Sequence, residues 1–125
     1  MEKIQKYTDL NTWKYSHGLV LDIYKISEKF PDIEKFGLTN QIRRASVSIT
    51  SNIAECFGRN SANDKRQFYA IAKGSLFEVH NQLLIARDLQ FISMSDFDKL
   101  NSKIEIISKL LSGIINKAPS RIVTK

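Results

Sequence analysis

Between Phe97 and Ile114 the apolar residues Phe97, Leu100, Ile104, Ile107, Leu111 and Ile114 follow one another at spacings of three and four. That is a heptad seam, the pattern of left-handed helical packing. A helix with such a stripe cannot bury it alone, so the seam demands partner helices. No strand-like alternation is sustained elsewhere. The two prolines, Pro31 and Pro119, fall where a helix should already have stopped.

Three further helical patterns precede the seam. The first spans residues 10–29, with Asp9 or Asn11 as its N-cap. Leu10, Trp13, Val20, Leu21 and Tyr24 share one side; Tyr15, Leu19, Ile23, Ile26 and Phe30 share the opposite side. Two apolar faces exceed what one core-facing stripe needs. One face therefore packs inside and the other against a second subunit. The alternative, a helix buried centrally in its monomer, has no place in a four-helix bundle. Phe30-Pro31 ends this helix, and Ile33, Phe36 and Leu38 are expected to tuck against the bundle end.

The second helix, residues 39–57, is capped by Thr39 and closed by Gly58 in a left-handed conformation. The third, residues 63–91, follows a capping-box-like Ser61 and Asp64. Phe68, Ala72, Leu76, Val79, Leu83 and Ala86 form its main stripe, and Phe77, Leu84 and Phe91 a thinner one that hints at intersubunit contact. Gly74 costs about 1 kcal/mol relative to alanine in a helix interior, which a close crossing by the second helix would explain. Ser93 and Asp96 repeat the capping pattern before the fourth helix, residues 95–117, where Lys117 suits the last turn. Residues 1–9 form an N-terminal extension and 118–125 a flexible tail. The fold class is all-α: an antiparallel up-down-up-down four-helix bundle.

A chain of 125 residues fits one domain. The single cysteine, Cys56, excludes an internal disulfide and a cysteine zinc cluster within one chain, and reducing cytoplasm is the simplest compartment. No apolar run approaches the ~20 residues of a membrane span, and the N-terminus lacks a secretory apolar core, which argues against membrane or exported roles. The net charge is +6 and unevenly spread: residues 36–74 hold six basic and two acidic groups. This permits binding to a polyanion without demanding it.

No catalytic, cofactor or metal constellation stands out. His17 and His80 lie on different helices with no ligand partner at the right spacing, and no Glu-x-x-His pair of the di-iron bundle type occurs. Gly-rich phosphate loops are absent, and Cys56 lies on the apolar row of the second helix. What that helix does carry is a polar row, Arg44, Ser48, Asn52, Glu55 and Arg59. Such a row is either solvated or packed on polar partners. In the structural reading Arg44 or Arg43 pairs with Glu55 or with Glu78 of the third helix, so Arg44, Ser48, Asn52, Glu55 and Glu78 form a register-setting network. In the functional reading Arg43, Arg59, Lys65, Arg66 and Lys73 are nucleic-acid-binding candidates, with Tyr69 as a stacking ring and Phe68 in the core.

The segments DLNTWKYSHGLVLDIYKIS, FGLTNQIRRASVSITSNIAECFGR and FYAIAKGSLFEVHNQLLIA resemble the four-helix-bundle proteins encoded in intervening sequences of bacterial 23S rRNA genes. Gly37-Leu38-Thr39, Gln41-Ile42-Arg43-Arg44-Ala45, Val47-Ser48-Ile49, Asn52-Ile53-Ala54-Glu55 and Gly58-Arg59 stand as that family has them, as do Gly74-Ser75-Leu76 and Glu78. The chain is also similar to the accessory variability determinant proteins of diversity-generating retroelements. Thr50 replaces a frequent proline, so the second helix is expected to be straighter, and Cys56 replaces a frequent glycine, which bears on how closely a neighbouring backbone approaches there. The resemblance implies a ring-like homopentamer with a basic surface and no enzymatic activity or cofactor. It implies RNA or DNA as partner by analogy with the retroelement proteins, which bind nucleic acid and a reverse transcriptase. A protein-interaction scaffold is the competing class.

Overall fold

The computed structural model describes residues 3–123, with side chains to residue 116. Four helices account for most of it: α1 (Asn11–Ser27), α2 (Leu38–Phe57), α3 (Ala62–Asp88) and α4 (Met94–Val123). Short 3-10 turns at Tyr7–Asp9 and Asp32–Glu34 precede α1 and α2. There is no strand among the described residues. The helices pack as a bundle in which α2 meets α1 and α3, and α4 meets α3 and α1. None of the helices, among the described residues, is long and apolar enough to cross a membrane.

The core is assembled from the stripes that periodicity marks. Ile42, Ile49 and Ile53 of α2, Leu76, Val79 and Leu83 of α3, and Ile107 and Leu111 of α4 are fully buried. α1 divides as two faces, unequally. Leu19, Ile23, Ile26 and Phe30 enter the core, and Leu10 and Trp13 pack on its margin. Tyr15, Leu21 and Tyr24 stay exposed. The thinner α3 stripe is broken: Leu84 and Phe91 pack on the core, and Phe77 alone is exposed.

The helix ends depart from the sequence expectations in instructive ways. Thr39 does not cap α2; it is buried inside the first turn. The free amide of Leu38 is instead taken by Glu34 Oε1 at 3.0 Å, from the preceding 3-10 turn. Asp9 likewise caps its own turn, accepting from the amides of Gln5 and Lys6 at 3.0 Å, and those two bonds hold its carboxyl below the usual value. Gly58 is right-handed (φ −85°), so glycine's freedom is unused there. Nothing approaches Gly74 closely, and the residue facing α2 is its neighbour Ser75. Ser61 and Ser93 do cap α3 and α4, accepting from Asp64 and Asp96 at 3.0 and 3.1 Å. The α4 backbone continues as helix past Pro119 to Val123, while Thr124 and Lys125 of the expected tail lie outside the described residues.

α3 ends in a Schellman motif without glycine. Phe91 N–H donates to Ala86 O at 2.8 Å and Gln90 N–H to Arg87 O at 3.0 Å. This forces Gln90 to φ 64°, where a side chain costs roughly 1–2 kcal/mol. The turn delivers Phe91 onto Phe30, ring centroids 5.7 Å apart, and so ties the two loops at this end together. Gln90→Gly should relieve that strain. We expect a gain of about 1 kcal/mol in stability and a melting temperature higher by about 4 °C, read by thermal circular dichroism. An unchanged or lower melting temperature would contradict it.

Candidate nucleic-acid interface

The second helix puts its apolar row, Ile42, Ala45, Ile49, Ile53 and Cys56, wholly into the core. Its polar row does three different things. In the middle it packs on a polar partner. Ser48 Oγ lies 2.8 Å from Ser75 Oγ of α3, and Asn52 Nδ2 donates to Ser48 O and Oγ at 2.7 and 3.1 Å. A hydroxyl pair at a close helix contact satisfies both groups in little space. Arg44 and Glu78, placed in the same network by sequence, are exposed on the rims of a shallow cleft of about 340 Å³ with Asn40, Gln41 and Ser48. Among the described residues no ion pair joins Arg44 to Glu55 or Glu78. Glu55 pairs with Arg59 one turn on, at 2.7 Å. The hydroxyls take the register role because they are short enough to be buried, whereas the charged ends reach water.

Arg43 is half-buried on the seam between α1 and α2. Its Nε donates to Ser27 Oγ at 2.7 Å and its terminal nitrogen to Tyr24 O at 3.2 Å, with the guanidinium 4.8 Å from the Tyr24 ring centroid. Tyr24 O lies in the last turn of α1, where carbonyls lack intrahelical donors and a cation meets the negative end of the dipole. Sequence spacing gave no hint of this because both acceptors, a hydroxyl and a carbonyl, belong to another helix.

The remaining candidates gather around the α2–α3 turn and the first half of α3. Arg59 is braced by Glu55 and lies 4.7 Å over the Phe68 ring. Lys65 is exposed and Arg66 half-exposed in the first turns of α3. Lys73 lies seven residues from Arg66, on the same helical face and about 10 Å along the axis. Its ammonium stands 5.7 Å from the Phe77 ring. Phe77 is 53% exposed beside a cation and so is a better stacking ring than Tyr69. Periodicity had assigned Phe77 to a subunit stripe.

The roles of Phe68 and Tyr69 are exchanged. Phe68 lies half-exposed under Arg59, while Tyr69 packs on the core with its hydroxyl against Cys56. Burial pushes the Tyr69 phenol up to about 12, with the Cys56 sulfur adding to the effect. Burial also raises the Cys56 thiol, which is 1% exposed and donates to Lys65 O at 3.3 Å. A protonated, inaccessible thiol is a packing group and no nucleophile. Among the described residues no cluster of three His, Cys, Asp or Glu side chains could hold a metal ion.

Comparison with known proteins agrees with this architecture. The model of a family described as 23S rRNA-intervening sequence protein matches residues 8–113. A solved structure from Bacteroides thetaiotaomicron, a protein of unknown function from the S23 ribosomal protein family, superposes with a TM-score of 0.77 at 25% identity. The match covers 83% of this chain and 97% of that one. No curated protein matches the sequence.

Two outcomes test these placements. Arg43→Ala should lower stability by about 1–2 kcal/mol, as loss of charge-assisted bonds to Ser27 and Tyr24 requires, and Arg43→Lys should not restore it. Any RNA affinity that the native protein shows in a filter assay should stay within about twofold in both variants. Weakened binding at an unchanged melting temperature would return Arg43 to the binding surface. For Tyr69, ultraviolet titration of the native protein should show a phenol ionising near 12, against 10.0 once the chain is unfolded. The folded value is the higher, so the neutral phenol stabilises the fold fully below pH 10. That contribution should fade as pH rises from 10 to about 12, and Tyr69→Phe should remove this part of the alkaline unfolding.

Proposed function

The chain belongs to the 23S rRNA-intervening sequence protein family, and from that premise we propose that it is a non-enzymatic, self-assembling helical bundle of the cytoplasm that binds RNA or another nucleic acid through the basic cluster at the α2–α3 turn. The observation that carries this reading is Arg59 held over Phe68 beside Lys65 and Arg66, with Lys73 and the exposed Phe77 further along α3. Cations interleaved with rings serve both phosphates and unstacked bases. Asp64 and Glu55 are the acids nearby, and Glu55 is already held by Arg59.

The helices run up-down-up-down. The contacts of Arg43 with Ser27, of Cys56 with Lys65 and of Phe30 with Phe91 support that order. Assembly, a ring of five in this proposal, multiplies a net charge of +6 per chain. Weak contacts per chain then sum through multivalency. A second reading, a scaffold that docks a protein partner, draws on the exposed apolar side chains Leu21, Ile33, Phe36 and Phe77.

Charge reversal separates the two. With Arg59→Glu, Lys65→Glu and Arg66→Glu combined, affinity for structured RNA at low salt should fall at least tenfold, and the slope of log affinity against log salt should shrink by about three. The far-ultraviolet circular dichroism should not change, because these side chains lie at the surface. No RNA binding by the native protein at low salt, or binding indifferent to the triple reversal, would overturn the nucleic-acid reading. A protein partner retained by the triple variant would favour the scaffold.

A further inference from the structure

The α1–α2 connection carries the most exposed large apolar side chains among the described residues. Ile33 is 88% and Phe36 87% exposed, against the sequence expectation that both tuck under the bundle; of the three only Leu38 does. Scattered apolar exposure on a surface is ordinary. This pair differs because its backbone is fastened. Glu34 N–H donates to Pro31 O, Lys35 N–H to Asp32 O and Gly37 N–H to Glu34 O, all within 3.0 Å, and Glu34 Oε1 holds the amide of Leu38. A Cβ at Gly37 would stand 2.8 Å from Glu34 Oε1, so glycine there is part of the fastening. The connection is thus a preformed knob whose docking requires little further ordering.

One surface of the same chain fits the knob. Between α1 and α4 runs a cleft of about 580 Å³, with Ile26 and Leu100 buried along its floor. Lys25, Lys29, Lys99 and Lys103 rim it, and their methylene stems extend its apolar walls. Two of the four are neutralised across the cleft: Lys29 by Asp96 at 3.5 Å and Lys103 by Asp22. Lys25 and Lys99 have no ion-pair partner among the described residues, which leaves the cleft with an excess of two positive charges. On the knob, Asp32 and Glu34 flank Ile33 and the Lys35 ammonium stands 5.7 Å from the Phe36 ring, so the knob keeps an excess of one negative charge and one face of that ring is already taken by a cation. The other face of the ring gains burial, and cation–π attraction where it meets a lysine of the cleft.

We propose that the Ile33–Phe36 knob of one copy docks in the α1–α4 cleft of the next, with Phe36 over Ile26 and Leu100 and Asp32 facing Lys25 and Lys99. The inference rests on the self-assembly reading above and names its interface. Each copy offers one knob and one cleft; in the proposed assembly the contact is heterologous, the knob of one copy entering the next rather than returning to the same partner, and copies add head to tail until a ring closes.

The test uses the full chain in analytical ultracentrifugation. The native protein should sediment as an oligomer. Phe36→Asp should raise the dissociation constant by about thirtyfold or more, as loss of a pocketed aromatic anchor does. Its melting temperature as a monomer should be unchanged, because the side chain touches nothing in its own core. Lys25→Glu combined with Lys99→Glu should weaken assembly similarly, and adding Asp32→Lys to that variant should restore it in part. Mixing the knob variant with the cleft variant should yield a dimer and no larger species, because one sound interface remains between them. A native monomer would overturn both the assembly reading and this interface. A native oligomer that Phe36→Asp leaves intact, or a mixture that fails to form the dimer, would overturn the interface alone.

Discussion

Everything in this bundle depends on how α2 divides its circumference. One row, Ile42 through Cys56, is buried to completion and ties the helix into the core. Burial alone would let α2 slide, because a row of isoleucines packs nearly as well one turn further along. What fixes its position is directional. Arg43 grips the last turn of α1, and the Ser48–Ser75 hydroxyl pair sets the contact with α3. Hydrogen bonds reject a wrong register more sharply than they stabilise the right one, since a slip leaves buried donors and acceptors unpaired. The two ends of α2 then follow: its start receives the fastened knob, and its end presents Arg59.

Periodicity carried the fold because the core is made of repeats of three and four, visible without any partner. The stripes of α3 and α4 entered the core as the spacing implies, from Ala72 to Ala86 and from Phe97 to Leu111. Less legible were contacts whose second member lies far away in the chain. Arg43 and Arg44 are neighbours of the same type, yet 100° of helical rotation puts one on the α1 seam and the other in water. Phe68 and Tyr69 exchanged roles for the same reason. Glu34 as a cap was hidden because it comes from a 3-10 turn before the helix and matches no capping pattern. Gly74 and Gly58 misled because glycine permits close approach and left-handed backbone without requiring either; the left-handed residue is Gln90.

Ile33 and Phe36 mark the limit of hydropathy as a guide. An apolar residue in a loop is expected inside, since water penalises it outside. That expectation counts only the chain's own core. Here the turn fastened by backbone bonds carries Ile33 and Phe36 outward, and Leu38 takes the inward place. Sequence could find the apolar residues but not which of them would face outward.

The proposed interface and the proposed nucleic-acid surface lie at different places on the bundle, and the separation has a consequence. α3 runs 27 residues, and from Arg66 to the loop that touches Phe30 is about 30 Å. At that distance, several Debye lengths in physiological salt, charge at one end does not disturb packing at the other. Copies joined near the Phe30–Phe91 end would therefore carry their basic turns as a common rim. The rim's spacing would be set by the bundle's width, and like charges on neighbouring copies would be far enough apart to be screened. A polyanion long enough to bridge two turns gains from both, whereas a short one gains from one. Selectivity for extended or folded nucleic acid over free nucleotides would then arise from geometry, with no pocket needed to read a base.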